Sequence, residues 1–386
     1  MKHLLKAHMP GTQDGGSGPA IYVSAGEASG DAHAAALCRE LLAREPGLDL
    51  FGMGGPAMKA AGCRVVQDID GLSVMGFTEV LARLPHIHGV LRRALAQCAE
   101  RRPDVAVLVD YPGFHMRLAR GLRRAGIPVA IYIAPQVWAW RPGRARSVAD
   151  LATKLLVIFD FEVPIYRRAG ADVEFVGHPL LDEIDPDAAP GAVRRALGIA
   201  EDTPLLAVLP GSRRQEIERH LPVFLAAAAQ VGAARPGTAV AVGTRDGAPF
   251  EGAADALGGV PTARTHDLLR DATVGLFASG TVTLEAAILG CPGVVGYRTG
   301  WFNYLVGRRV VRIPRIALAN IVLGEEVMPE LLQGKLRPAA AAAELLRIMA
   351  SPERRQAARA LLSKVRERLG SPGASGRAAE AVLRML

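Results

Sequence analysis

The stretch Leu205–Leu221, LLAVLPGSRRQEIERHL, decides how the rest of the chain is read. Leu205–Leu209 form an apolar run with no polar face, as strands buried on both sides of a parallel sheet do. Pro210, Gly211 and Ser212 make a turn, and a helix opens on Arg213 and Arg214. A helix N-terminus offers unpaired N–H groups and partial positive charge. Two guanidinium groups there add cations whose fork geometry matches phosphate oxygens. The pattern predicts a strand–turn–helix unit that holds phosphate; a plain βα turn with solvated arginines is the competing reading.

A second unit of this kind lies near the N-terminus. Ala20–Ser24 (AIYVS) is a short apolar strand, AGEASGD a turn, and 32–43 a helical run. Gly26 and Gly30 suit a tight turn, and Ser29 or Asp31 is placed to cap the helix. Glu27 disfavours a bound pyrophosphate here and suits sugar hydroxyls. A glycine-rich loop and short helix follow in LFGMGGPAMKAAGC. Further strands are expected at 104–109, 127–133, 155–159 and 173–176, with Asp110 delivered at the carboxyl end of the first of these. Ligands of open α/β sheets bind at such strand ends, which makes Asp110 a candidate catalytic carboxylate or, more plainly, a cap. Trp138, Trp140, Arg141, Arg144 and Arg146 fall in one predicted loop.

Beyond the acidic, Pro-rich 182–191, read as a linker, the order repeats: the opening stretch, a helix over 222–234, a strand at 239–242 and one at 273–277. The last leads into ASGTVTLEAA, where Gly280 marks a turn, Thr281 and Thr283 start a helix and Glu285 sits in its first turn. Hydroxyls, free N–H groups and one carboxylate at a strand's carboxyl end suit a phosphate and a ribose diol; a capped helix is the bland account. Each half thus reads as a wound parallel sheet whose Gly turns face a common cleft. A chain of 386 residues exceeds one hydrophobic core, in keeping with two domains.

Composition narrows the partners. A net charge of +8 favours anionic ones, but no run of like charge and no aromatic-interleaved basic stripe points to nucleic acid. Cys38, Cys63, Cys98 and Cys291 are scattered without metal-type spacing and read as reduced cytoplasmic thiols. The first 19 residues lack an apolar core segment and read as a loose tail. The most apolar window, 276–296, carries Ser279, Thr281, Thr283, Glu285 and Pro292, so no spanning helix is expected. Two stretches combine apolar and basic residues: 72–90 (LSVMGFTEVLARLPHIHGV), with Val74, Met75, Phe77 and Leu81, and 301–312 (WFNYLVGRRVVR), with Trp301, Phe302, Arg308 and Arg309. Each is either core or a surface that dips into a membrane interface.

Collected in order, SAGEASGD (24–31), GMGGPAM (52–58), VMGFTEVL (74–81), PQVWAWR (135–141), VGHP (176–179), LPGSRRQEI (209–217), ASGTVTLEAA (278–287), VVGYR (294–298) and the segment 320–333 resemble the lipid-A-disaccharide synthase family. Nine segments in register from residue 20 onward make the resemblance specific. It implies an α/β fold of GT-B type: two Rossmann-like doubly wound domains facing a cleft, with C-terminal helices able to cross back to the first domain or swap between subunits. The implied division is a tail over 1–19, an acceptor-side domain over 20–181, a linker, a UDP-sugar domain over 192–360, and a helical segment over 361–386.

The implied reaction condenses UDP-2,3-diacylglucosamine with 2,3-diacylglucosamine 1-phosphate. It gives a β(1→6) disaccharide and UDP, with inversion, without metal or cofactor, at the inner face of the cytoplasmic membrane; a homodimer is among the implied assemblies. The resemblance places Asp110 as base with Glu27 as rival, Arg213 on the diphosphate, Gly211, Ser212, Ser279, Gly280 and Thr281 around the nucleotide, and Glu285 on its ribose. It carries over His178 and Asn320 as substrate-binding. Many relatives place a second acid three residues after the Asp110 position and an Asn five after; here stand Gly113 and His115, the latter read as a half-buried histidine or a substitute hydrogen-bonding group. The alternatives are another GT-B UDP-sugar enzyme, such as a soluble glycosyltransferase or an epimerase, and a non-catalytic sugar-nucleotide sensor.

Overall fold

A computed structural model describes residues 18–69, 77–140, 142–250, 257–300 and 314–386. Among the described residues, thirteen strands form two sheets. The first contains β1 (Ala20–Ser24), β2 (Asp49–Gly54), β3 (Arg64–Asp68), β4 (Val105–Val109), β5 (Val129–Tyr132), β6 (Lys154–Val157) and β7 (Val173–Phe175), in the order 3-2-1-4-5-6-7. The second contains β8 (Leu205–Leu209), β9 (Ala239–Thr244), β10 (Thr262–Arg264), β11 (Val274–Phe277), β12 (Gly293–Tyr297) and β13 (Glu330–Leu332), in the order 10-9-8-11-12-13. Every strand pairing described is parallel.

The two orders are the same doubly wound pattern, with the first strand of each half third in its sheet and the winding reversing beside it. Strands β4 and β8, VAVLV and LLAVL, are buried at every residue, which is why their sequences carry no polar alternation. The reversal falls between β1 and β4 in one sheet and between β8 and β11 in the other. The chain packs as two compact units. One holds the residues up to Pro135 with Asp150–Leu156 and Ser375–Leu386; the other holds Gln136–Ala149 and Val157–Ala374.

Several local expectations change. The helix expected over 222–234 is the end of one helix, Arg214–Ala234, with Pro222 inside it. Its buried stripe Ile217, Leu221, Phe224, Ala228 and Val231 runs at helical spacing straight past the proline. That burial outweighs the single hydrogen bond Pro222 cannot donate. The predicted Trp loop contains the short helix Val137–Trp140. Strand β3 was not expected: it is short, half-buried and at the sheet edge, so its pattern is weak. The predicted linker begins inside a helix, Leu180–Glu183, and Asp182 accepts the main-chain N–H groups of Gly373 and Ala374.

The first helix starts at Ala28 rather than 32, with Glu27 as N-cap residue and no side-chain capping bond. Asp31 is buried and caps a different helix. Its carboxylate accepts the N–H groups of Gly55 (2.7 Å), Ala57 (2.9 Å) and Met58 (3.2 Å) at the start of Pro56–Ala60. The segments SAGEASGD and GMGGPAM are thereby one structural unit, joined by a carboxylate at a helix N-terminus.

Candidate active site

In the first unit, the carboxyl ends of β1 and β4 carry Glu27 and Asp110. Asp110 and Tyr111 both take left-handed backbone, at φ of 53° and 50°. Such a pair is costly for residues with a Cβ, at ~1–3 kcal/mol each, and persists only where neighbours enforce it. Here the enforcement is visible. The Asp110 N–H donates to the Tyr132 carbonyl on β5 (2.9 Å). The Asp110 carbonyl accepts from Nδ1 of His115 at 2.6 Å. The Tyr111 ring lies against Gly26, where a Cβ would come within 2.1 Å of a ring carbon, so only glycine fits there.

The Asp110 carboxyl is raised above its ordinary value of 3.8 by burial; the Tyr111 N–H and a nearby His33 pull the other way. A carboxylate with reduced solvation is a better proton acceptor near neutral pH. Glu27 is exposed, one residue after Gly26. Its negative charge, after burial, helps hold the Tyr111 phenol above its usual range.

His115 is not half-buried but 1 % exposed. Because a carbonyl only accepts, Nδ1 carries the proton; Nε2 then accepts from the Ser24 hydroxyl at 2.9 Å. Burial pushes its imidazolium pKa down to about 4, so the ring is neutral across the physiological range.

In the second unit, β8 and β11 lead into two glycine turns. Gly211 has φ of 115°, and an added Cβ would sit 2.7 Å from Oε2 of Glu216, so the turn requires glycine on both counts. Arg213 is the N-cap residue of Arg214–Ala234, and its carbonyl receives the Glu216 and Ile217 N–H groups. Its side chain is 60 % exposed, with Nη1 at 3.7 Å from Glu216 Oε1, a loose surface pair that a phosphate could displace. Arg214 is 91 % exposed and pairs with Glu218 at 2.9 Å.

The turn is braced by His220, a residue the sequence did not single out. Buried one helical stretch later, it presents Nδ1 to the Pro210 carbonyl (2.9 Å) and takes the Arg298 N–H on Nε2 (2.9 Å). His220 thus ties LPGSRRQEI to VVGYR.

Around β11, Ser279 donates to the Ile316 carbonyl at 2.8 Å, Gly280 follows at φ of 156°, and Thr281 is exposed. Thr283, expected as a ligand hydroxyl, is buried; it donates to the Gly280 carbonyl and accepts the Ala319 N–H. Glu285 is 17 % exposed and lies 3.3 Å from Nε2 of His266, a second residue not foreseen.

Asn320 is also reassigned. It is 0 % exposed; Nδ2 donates to Met328 O and Glu330 Oε1, and Oδ1 accepts from the Val327 and Met328 N–H groups. Four bonds saturate an amide, so Asn320 organises this loop. Glu330 extends the knot by accepting the N–H groups of Ile316 and Ala317.

His178, after β7, is buried, accepts the Leu180 N–H on Nδ1 and lies 5.2 Å from the Phe159 ring. Beside it, Trp138 donates its indole N–H to Glu162 (2.9 Å). Burial raises the Glu162 carboxyl to about 7 against the bonds from Trp138, Phe159 and Ile158.

Val74, Met75, Trp301, Phe302, Arg308 and Arg309 lie outside the described residues, and Phe77 and Leu81 are described only as backbone of the helix Phe77–Arg101. Among the described residues, no helix is long and apolar enough to cross a membrane, and no three His, Cys, Asp or Glu are grouped to hold a metal.

Two doubly wound units, one with a partly buried carboxylate and one with a glycine turn and arginine at a helix start, match known proteins over nearly all of the chain. A family profile described as lipid-A-disaccharide synthetase covers residues 21–384. The chain belongs to the lipid-A-disaccharide synthase family. Membership makes it a glycosyltransferase of lipid A disaccharide synthesis. Proteins with that name from Myxococcus xanthus and Syntrophus aciditrophicus are 42 % and 41 % identical to it, each over 95 % of this chain and 98 % or 97 % of their own length. The fold likeness reaches further than the family. The calicheamicin glycosyltransferase CalG4 superposes with a TM-score of 0.62 at 20 % identity, over 96 % of this chain and 98 % of its own. A UDP-GlcNAc 2-epimerase from Neisseria meningitidis, solved with UDP-GlcNAc, gives 0.60 at 10 %, over 95 % and 99 %. These place the chain in the GT-B fold and leave its chemistry to its own residues.

Proposed function

We propose that the chain joins UDP-2,3-diacylglucosamine to 2,3-diacylglucosamine 1-phosphate with inversion at the donor carbon and without a metal in the chemical step. The observation that carries this reading is the placement of its motifs. Glu27 and Asp110 follow the carboxyl ends of the two strands at the reversal of one sheet, and Arg213 and Ser279–Thr281 follow those of the two at the reversal of the other. That is where doubly wound sheets bind ligands.

Asp110, or Glu27 as the alternative, takes the proton of the acceptor 6-hydroxyl. The freed oxygen attacks C1 of the donor from the face opposite UDP; the new C–O bond forms as the bond from C1 to the β-phosphate oxygen breaks, giving a β(1→6) link. UDP departs with its diphosphate charge met by Arg213, the first-turn N–H groups and the turn at Gly211–Ser212. Ser279, Gly280 and Thr281 supply a second N–H turn, and Glu285 accepts from the ribose diol. His178 and Asn320 act by holding main chain.

Peripheral contact with the inner face of the cytoplasmic membrane belongs to the same proposal. It rests on the +8 charge and on the residues around Val74–Leu81 and Trp301–Arg309. A homodimer is included on the family resemblance alone.

The test is incubation of the protein with both acylated sugars in detergent and excess chelator. The expected products are the β-linked tetraacyl disaccharide 1-phosphate, assigned by the anomeric coupling constant, and one UDP per disaccharide. An α anomer, or activity only after a divalent cation is restored, contradicts the mechanism.

A further inference from the structure

His115 is placed where the family resemblance expects an asparagine, and its contacts show what that position does. It is fully enclosed, and each ring nitrogen has one partner: the Asp110 carbonyl on Nδ1 and the Ser24 hydroxyl on Nε2. Its own N–H closes the first helical turn on the Tyr111 carbonyl (3.1 Å). The ring packs edge-on against Tyr111 and Phe114, with centroids at 6.0 Å and 5.7 Å. The imidazole therefore spans from the last residue of β1 to the residue that follows β4, across the point where the sheet reverses.

The main chain of Asp110 is gripped from both sides. Its N–H is bonded to β5 through Tyr132, and its carbonyl to His115. Between those anchors φ is held at 53°, and the direction of the carboxylate follows from it. Without a donor on the carbonyl side, the two consecutive left-handed residues keep only the bond to Tyr132 and the packing on Gly26 to hold a backbone that is unfavourable for side chains with a Cβ. We infer that His115 is the positioning residue of Asp110, fixing the carboxylate through the main chain by donating from Nδ1 while the Ser24 hydroxyl locks that tautomer.

The inference rests on the reading of Asp110 as the base, and it makes a demand that general core packing does not. Asparagine can place an amide N–H where Nδ1 stands and a carbonyl oxygen toward Ser24. Glutamine is longer and places its amide at the level of Nε2. Donor position, not volume, should therefore decide activity.

The experiment compares kcat, donor KM and UDP affinity for wild type, His115→Asn, His115→Gln, His115→Ala and Asp110→Ala, each checked for a native circular dichroism spectrum and melting transition. Expected are kcat within about threefold of wild type for H115N and losses of at least tenfold for H115Q and H115A. Donor KM and UDP affinity should stay within about twofold throughout, because the nucleotide half of the machinery is untouched. Full turnover by H115A or H115Q alongside an inactive D110A overturns the inference and leaves the base assignment standing. So does an H115N as slow as H115Q, since donor position would then not matter. Full turnover by D110A overturns the base assignment and the inference with it.

Discussion

Replacing Asp31 by alanine should unlock the loop after β2 without touching any group assigned to chemistry. The carboxylate receives three main-chain N–H groups, of which those of Gly55 and Met58 are buried and that of Ala57 is part-buried. A buried donor left unsatisfied costs ~1–3 kcal/mol, and the half-exposed Ala57 N–H recovers a water. Two such donors give ~2–6 kcal/mol. The helix Pro56–Ala60 is five residues long and relaxes easily, so the lower half of that range applies, about 3 kcal/mol. At ~1.4 kcal/mol per factor of ten, amide protection over Gly54–Met58 should fall by about two decades.

Hydrogen exchange read by mass spectrometry on peptides spanning 49–61 measures this, with the peptide over 205–221 as internal reference. Asp31→Asn keeps an oxygen acceptor but loses the charge and turns an N–H₂ toward donors; it should fall between wild type and alanine. If exchange at 49–61 stays within threefold of wild type in D31A, the carboxylate is not what holds the two segments together.

Other outcomes follow from the buried groups. Glu162 holds its proton to about pH 7 in the folded chain against an ordinary 4.5, so between those values the native state binds more protons and stability falls as pH rises. His115 does the reverse: it stays neutral down to about 4 against 6.5, so between those values the unfolded state binds more protons and stability rises with pH. Each effect amounts to ~3 kcal/mol at full extent and they oppose one another. Glu162→Gln should therefore give a urea-unfolding stability that climbs from pH 4.5 to 6.5 where wild type is flatter; an unchanged slope sinks the assignment. His220→Ala leaves the Pro210 carbonyl and the Arg298 N–H without their shared partner and should weaken UDP binding about tenfold by calorimetry, with the far-UV spectrum unchanged; wild-type affinity would remove His220 as the brace of the turn. Gly211→Ala forces a Cβ onto Glu216 at φ of 115° and should lower UDP affinity at least as much.

The strands nearest the chemistry were legible because they are the most apolar. LLAVL is observed as β8 with the bounds its sequence suggests, and the strand expected over 104–109 as β4, one residue shorter at its start. The turns that follow them were legible for a related reason: a glycine at the end of an apolar run marks the turn into a helix, as at Gly211 and Gly280. What the sequence could not carry was pairing across distance. Asp31 looks like a cap of its own helix, and nothing local says that its partners lie 24 to 27 residues on, because the pairing is made by β1 lying beside β2. Asn320 and Thr283 look like ligand groups for the same reason. A polar side chain near a strand end reads identically whether it faces solvent or is saturated by main chain.

His220 was missed as a brace, and His115 was offered as a substitute hydrogen-bonding group without its partners, because a lone histidine in a helix has no signature of its own. Each acts on a carbonyl ahead of it in the chain, five residues back for His115 and ten for His220. The proline at 222 misled in the other direction. A local breaker was read as a boundary, while the stripe from Ile217 to Val231 carried the helix past it.

The most direct test of the account is the single-turnover rate of disaccharide formation by Asp110→Asn, a change that preserves shape and removes the base. With both substrates saturating, the account predicts a rate lower by ~10²–10⁴-fold, the usual worth of a positioned general base, with UDP affinity unchanged. A D110N rate within tenfold of wild type, with Glu27→Gln carrying the large loss instead, would contradict it and move the base to the end of β1.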